Sequence, residues 1–233
     1  MPREAPYELN EHYATCAYFS IAESRPTDRF VSLIHQGGFV QRDRNEKMHS
    51  GRVPTTGTGS PVLIRDQQPG DREQVRKVNE AAFGRSDEAD LIDRLFAEGA
   101  VLLSLVAEVD GQIVGHILFS RMTVETDQGP VAAVSLAPMA VLPEQQGHQI
   151  GSELVRRGLA QLRDQGERIV IVLGHKHYYP RFGFSSEMAR HLASPFPPEA
   201  FMALELCDGA LTGVRGAVRY PAAFGLRAPT ASE

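Results

Sequence analysis

The sequence predicts an α/β protein with a mixed sheet: an antiparallel meander followed by a β-α-β crossover. Three observations carry this expectation. Three long apolar runs between residues 101 and 142 are separated only by the turn-forming segments Asp110-Gly111 and DQGP (127–130). Three segments repeat apolar residues at helical spacing. The run RIVIVLG (168–174) is apolar without alternation, as expected of a strand covered on both faces.

The regular pattern begins near residue 61. VLIR (62–65) reads as a short buried strand. PGDREQVRKVNEAAF reads as a helix, with Asp71 and Gln74 at capping-box spacing and Val75, Val78 and Ala82 on one face. Ser86 is placed to cap a second helix with Leu91, Ile92, Leu95 and Phe96 inward, and Gly99 to end it. VLLSLVAEV and QIVGHILFSRMTVET flank Asp-Gly, a strong hairpin signal, and DQGP returns the chain into VAAVSLAPMAVLP. After the polar loop EQQGHQI comes the helix GSELVRRGLAQLRDQ, with Leu154, Leu159 and Leu162 near one face and Gly166 as its stop. Strand, helix and strand in succession imply a crossover and a parallel pair. A Tyr-rich turn follows, and FGFSS, FMALEL and GAVRYP read as strands at the C-terminal edge.

Residues 1–60 carry neither period. They hold one short apolar patch, TCAYFSIA, and end in the linker-like TTGTGS (55–60). The expected organisation is a disordered extension over 1–60, a catalytic domain over 61–226 and a short tail over 227–233. A formal net charge of −5 argues against a general nucleic-acid binder. No apolar run approaches the roughly 20 residues that span a bilayer, and the N-terminus has no secretory h-region. Cys16 and Cys207 show no metal-ligand spacing, so a reducing cytoplasm is the default expectation, with no metal.

The main site candidate is Gln146-Gly147-His148-Gln149-Ile150-Gly151-Ser152, between a buried strand and a helix start. The first helical turn has N–H groups without internal partners and the positive dipole end, which suits a pyrophosphate. An ordinary strand-to-helix turn is the alternative. Neither a Walker A loop nor the dinucleotide fingerprint is present.

VLPEQQGHQIGSELV resembles motif A of the GNAT acetyltransferase superfamily, with pattern Gln/Arg-x-x-Gly-x-Gly/Ala: Gln146 fills the first position and Gly151 the last. VLGHKHYYPRFGF (172–184) resembles that superfamily's C-terminal motif, in which a Tyr precedes a Gly-Phe pair by four residues; Tyr179 and Gly183-Phe184 match. The segment is similar to a bacterial branch of predicted N-acetyltransferases. The resemblance covers about residues 61–226. Where the pattern has its middle Gly, this chain has Gln149; if positive φ is needed there, Gln costs about 1 kcal/mol or more.

The resemblance implies an N-acetyltransferase using acetyl-CoA as co-substrate and a small-molecule or peptide amine as acceptor, as a monomer or homodimer. A catalytically weak acyl-CoA-binding or sensor module is the alternative. It also implies that the strand before the loop polarises the thioester carbonyl. Pro138, which lacks an N–H, would mark a bulge there, with Met139, Ala140 and Val141 against the thioester and pantetheine arm; the alternative is that Pro138 only marks the end of a core strand. The implied role of Tyr179 is general acid toward the CoA sulfur; the alternative is packing with Tyr178, Phe182 and Phe184. No base is identified: Glu80, Glu88, His116 and His175 are loose candidates, and a water chain is another. His175 and His177 are spaced i, i+2 without a nearby carboxylate or thiol, which makes a poor metal pair.

Overall fold

The computed structural model describes residues 61–226, so the expectations for residues 1–60 and 227–233 lie outside the described residues. Strand β1 (Leu63–Asp66) is followed by helices α1 (Arg72–Phe83) and α2 (Asp87–Glu98). Then come β2 (Val101–Val109), β3 (Gln112–Thr126), β4 (Gly129–Val141), α3 (Ile150–Asp164) and β5 (Ile169–Leu173). Three short strands finish the chain: β6 (Leu192–Ala193), β7 (Phe201–Glu205) and β8 (Gly216–Arg219).

The strands form one sheet in the order β1-β2-β3-β4-β5-β7. The predicted meander is present, since β2, β3 and β4 pair antiparallel in sequence order. The predicted crossover is present too, because β5 lies parallel to β4 with α3 between them in sequence. One edge expectation is corrected. GAVRYP does not extend the sheet beyond β7; its strand β8 lies against the far end of β3, pairing Thr123–Thr126. That end of β3 extends past the start of β2, so its edge is open to a late strand. FGFSS contributes only a single bridge, Ser185 to Ala203.

Alternation along the strands sends neighbouring residues to opposite faces. On one face Leu105, Ile117, Phe119 and Leu136 pack with Leu154 and Leu162 of α3. On the other Val106, Leu118 and Ala140 pack with Val75 and Val78 of α1 and Leu91 and Leu95 of α2. Gly158 lets α3 lie close: a Cβ there would stand 2.4 Å from the Phe119 ring.

Two local expectations on α1 and α2 are also corrected. Asp71 does not cap α1 with its side chain. Its carboxylate instead accepts from Arg65 (2.6 and 3.1 Å) and from the Gln68 N–H (2.6 Å), tying the chain before α1 to β1. The Arg65 guanidinium holds the Asp71 carboxyl below its ordinary range. Phe96 is not inward but 36% exposed, with the Arg72 guanidinium 5.7 Å from its ring centre. Gly99 ends α2 in the left-handed region, as expected.

Candidate active site

The site is built where β4 leaves its neighbour. The β3–β4 register runs Ile117 to Met139 and then Phe119 to Leu136, so β4 carries one extra residue at Ala137-Pro138. This is the bulge expected at Pro138. Pairing between β4 and β5 stops at Leu136–Val172. Beyond that point the two strands go separate ways, β4 toward the loop and α3, β5 toward the tyrosine turn.

The loop after β4 offers a run of free donors. A short 3₁₀ turn, Pro143–Gln145, leads into it, and the Gln146 N–H is spent on Pro143 O. The Gln146 side-chain amide donates to Val141 O at 3.1 Å, folding the loop back on the end of β4. The backbone N–H groups of Gly147, His148, Gln149, Ile150, Gly151 and Ser152 make no hydrogen bond to any described residue; the first helical bond is from Glu153 N to Gln149 O. Gly147 and Gln149 both have positive φ, 82° and 64°. Gln149 is therefore in the strained conformation, as the N-cap of α3 without a side-chain cap. Gly151 has ordinary φ and is required for a different reason: a Cβ would lie 2.9 Å from Tyr178 Oη.

The tyrosine turn closes the other side. Tyr179 is buried, and its ring lies so close to Gly174 that a Cβ there would be 2.1 Å away. Its ring meets Tyr178 and Phe184 edge-on at 5.1 and 5.7 Å. Its hydroxyl has no hydrogen-bond partner among the described residues, and burial raises its pKa above the ordinary tyrosine value. Tyr178 is engaged differently, with the Arg181 guanidinium 4.3 Å from its ring centre.

A cavity of about 90 Å³ opens at the bulge. Residues 135–139 of β4 form its floor, and Leu173 and Tyr179 border it on the β5 side. Phe83, Glu88 and Leu91 face it from α1 and α2. Phe196, Tyr220, Phe224 and Leu226 complete the wall. The structure thus brings Met139 and Tyr179 to one cavity. Ala140 is buried against the α1–α2 layer, and Val141 packs at the edge of the α3 layer.

Of the base candidates, only Glu88 lines this cavity. Glu80 pairs with Arg76 at 2.9 Å. His175 is exposed, its ring 5.6 Å from that of His177. His116 is fully buried beneath α1. Ser104 Oγ donates to Gln67 Oε1 (2.5 Å), so it accepts from His116 Nε2–H (2.9 Å), and His116 Nδ1 accepts from Asn79 Nδ2 (3.2 Å). Burial pushes the His116 pKa down to about 3. Among the described residues no three His, Cys, Asp or Glu side chains gather to hold a metal, and no helix is long and apolar enough to cross a membrane.

Sequence reasoning missed the cavity's second wall. Phe196 and Phe224 come from irregular C-terminal segments where no periodicity marks a facing side, and Tyr220 directly follows the short strand β8, too brief for its alternation to mark one.

Comparison with known proteins is consistent with this geometry. Residues 63–186 match the family model for the acetyltransferase (GNAT) domain. An Escherichia coli K12 protein named uncharacterized N-acetyltransferase YjhQ is 45% identical over 116 residues; the match covers 49% of this chain and 64% of that protein's length. The E. coli K12 protein named uncharacterized N-acetyltransferase YhbS is 34% identical over 162 residues, covering 68% of this chain and 96% of the relative. The crystal structure of E. coli YhbS in complex with CoA superposes with a TM-score of 0.67 at 32% identity, covering 74% of this chain and 96% of that one. A Brucella melitensis GNAT family acetyltransferase in complex with acetyl-CoA gives a TM-score of 0.60 at 38% identity, covering 70% and 97%.

Proposed function

This chain belongs to the GNAT acetyltransferase family, and on that premise we propose that it moves an acetyl group from acetyl-CoA directly to a primary amine. The observation that carries the reading is the run of six backbone N–H groups, Gly147 to Ser152, with no described partner at the start of a 15-residue helix. Donors so arranged, at the positive end of a helix dipole, suit a pyrophosphate. Both solved relatives described above hold CoA or acetyl-CoA.

In this reading the pyrophosphate lies over residues 146–152, the pantetheine arm runs along Met139, Ala140 and Val141, and the thioester reaches the cavity. The amine, having lost a proton to solvent, attacks the carbonyl carbon. The C–S bond then breaks, the nitrogen loses its second proton, and the sulfur gains one. Backbone N–H groups of the bulged end of β4 polarise the carbonyl; one preorganised donor contributes roughly 3 kcal/mol to such a transition state. Tyr179 donates to the leaving sulfur. Burial raises its pKa above the ordinary tyrosine value, so the hydroxyl is protonated at neutral pH. The raised pKa also makes full transfer to a thiolate uphill, so the hydroxyl acts first as a hydrogen-bond donor to the developing charge and recovers any proton it gives from solvent.

Two measurements on the full chain test the proposal. Saturating CoA, at about 100 times its dissociation constant, is expected to stabilise the fold by roughly 2.7 kcal/mol in thermal unfolding. Free CoA and N-acetylated product are expected in equal amounts from acetyl-CoA and an amine panel. A folded chain whose unfolding ignores millimolar CoA would overturn the reading.

A further inference from the structure

The cavity at the β4 bulge is apolar except at a few points: the Glu88 carboxylate, the Ser135 hydroxyl, and the tyrosines Tyr179 and Tyr220. Glu88 is buried, with a side chain only 4% exposed, yet it lines the cavity. Its carboxylate accepts from Arg85 at 2.8 and 3.3 Å, and each oxygen retains a further lone pair. Arg85 itself does not line the cavity. Ser135, 2% exposed, faces the same space, and its hydroxyl makes no hydrogen bond to a described residue. No Lys, Arg or His is among the described residues that line the cavity. The apolar lining includes Phe83, Leu91, Phe196 and Phe224.

A buried carboxylate in an apolar wall is costly to desolvate and selects for a cationic or N–H-donating partner. Arg85 offsets part of the Glu88 charge from outside the cavity, but no cation among the described lining residues is placed to pair with a second carboxylate brought into it. The volume of about 90 Å³ is less than the roughly 150 Å³ that accepts a benzene ring. It therefore takes the amine-bearing end of an acceptor on a slender arm.

Resting on the acetyltransferase reading, we propose that the acceptor is a primary alkylamine whose first carbons carry no carboxylate, and that Glu88 is the residue that binds its nitrogen. The carboxylate attracts the ammonium form, which predominates at neutral pH, and still accepts an N–H from the neutral amine that reacts. Ser135 offers a second acceptor. The apolar wall covers the arm. An α-amino acid with the same arm is excluded by its own carboxylate.

The test uses the full chain with acetyl-CoA and three acceptors: n-pentylamine, 2-aminohexane and norleucine. Norleucine carries a carboxylate where 2-aminohexane carries a methyl, so the pair separates charge from branching. Acetyl-CoA binding is measured separately by calorimetry. The expected result is acetylation of both amines, with kcat/KM for norleucine about 100-fold or more below 2-aminohexane. Glu88→Gln is expected to raise the KM for n-pentylamine about 10- to 100-fold while leaving acetyl-CoA affinity unchanged. Norleucine acetylated as well as 2-aminohexane would overturn the proposal. So would a wild-type chain that binds acetyl-CoA and acetylates neither amine, or a folded Glu88→Gln with unchanged amine KM. Should Glu88→Gln fail to fold, the wild-type comparison decides alone. Failure of folded wild type to bind acetyl-CoA would instead bring down the acetyltransferase reading, and this assignment with it.

Discussion

Gln149 and Tyr179 show how two residues in one site can be tested by opposite signs. Gln149 sits at φ 64° and ψ 5°, where an L side chain crowds its own carbonyl. Replacement by Gly removes that strain but loosens the unfolded chain. Because the strain is worth about 1–2 kcal/mol and the entropic loss somewhat less, Gln149→Gly is expected to raise stability by up to about 1 kcal/mol. Urea unfolding checks this; a lower midpoint would mean that the Gln side chain supplies a compensating contact. Tyr179→Phe removes only the hydroxyl. The ring, wedged against Gly174 and edge-on to Tyr178 and Phe184, stays, so stability and CoA affinity are expected to hold. Turnover is expected to fall roughly 10²- to 10⁴-fold, measured as CoA release under saturating substrates. Wild-type turnover in a folded variant would remove Tyr179 from the chemistry, and collapse of the fold would make its hydroxyl structural. The spacing to Gly183-Phe184 picked out Tyr179, yet its raised pKa was not legible, because burial is a property of the whole wall and not of the motif.

The loop between β4 and α3 uses two glycines for two physical reasons, and only one of them is local. Gly147 takes φ 82° with open space around its Cβ position, so Gly147→Ala costs about 1 kcal/mol of backbone strain alone. Gly151 takes ordinary helical φ, but its Cβ would press on the Tyr178 hydroxyl from a distant turn. Gly151→Ala is therefore expected to displace Tyr178, destabilise by about 1–3 kcal/mol as overpacking does, and weaken CoA binding, although every N–H donor is retained. Calorimetry on Gly151→Ala and on the double variant Gly151→Ala/Tyr178→Phe checks the cause, since removing the hydroxyl should restore much of the loss. At this scale the sequence was informative wherever period or turn chemistry is local. The hairpin at Asp110-Gly111, the end of α2 at Gly99 and the bulge at Pro138 were all legible. Asp71 was misread as a helix cap because its partner, Arg65, comes from the preceding strand. The site of β8 was misread because pairing with β3 depends on where β2 begins.

Across the whole molecule, the sheet separates two layers with different duties. Helix α3 and the free N–H groups before it belong to one, while α1 and α2 cover the other and bring Glu88 to the cavity. The central order β2-β3-β4-β5 was legible because meander and crossover leave few alternatives. The second wall of the cavity was not, since Phe196 and Phe224 arrive through segments without a period and Tyr220 follows a strand of only four residues. The α1 layer also contains a chain of polar groups from part-buried Gln67 through buried Ser104 and His116 to Asn79, and it contributes to how the fold responds to acid. In the folded state His116 is neutral, with a pKa pushed down to about 3 by burial. In the unfolded chain it titrates near 6.5. Above that value neither state binds the proton, and stability is unaffected. Between about pH 6.5 and 3 only the unfolded state takes it up, so stability falls with falling pH, at most about 1.4 kcal/mol per unit from this group. Asp71, held below its ordinary range by Arg65, acts in the same direction at lower pH: its contribution is present above the unfolded carboxyl value and is lost as pH falls through the folded one. The expected outcome is a thermal midpoint that declines from pH 6.5 downward, with the upper part of the decline absent in His116→Gln, whose amide can still bond Ser104 or Asn79. Equal slopes for wild type and variant between pH 6.5 and 5 would show that His116 opens to water before the fold is lost.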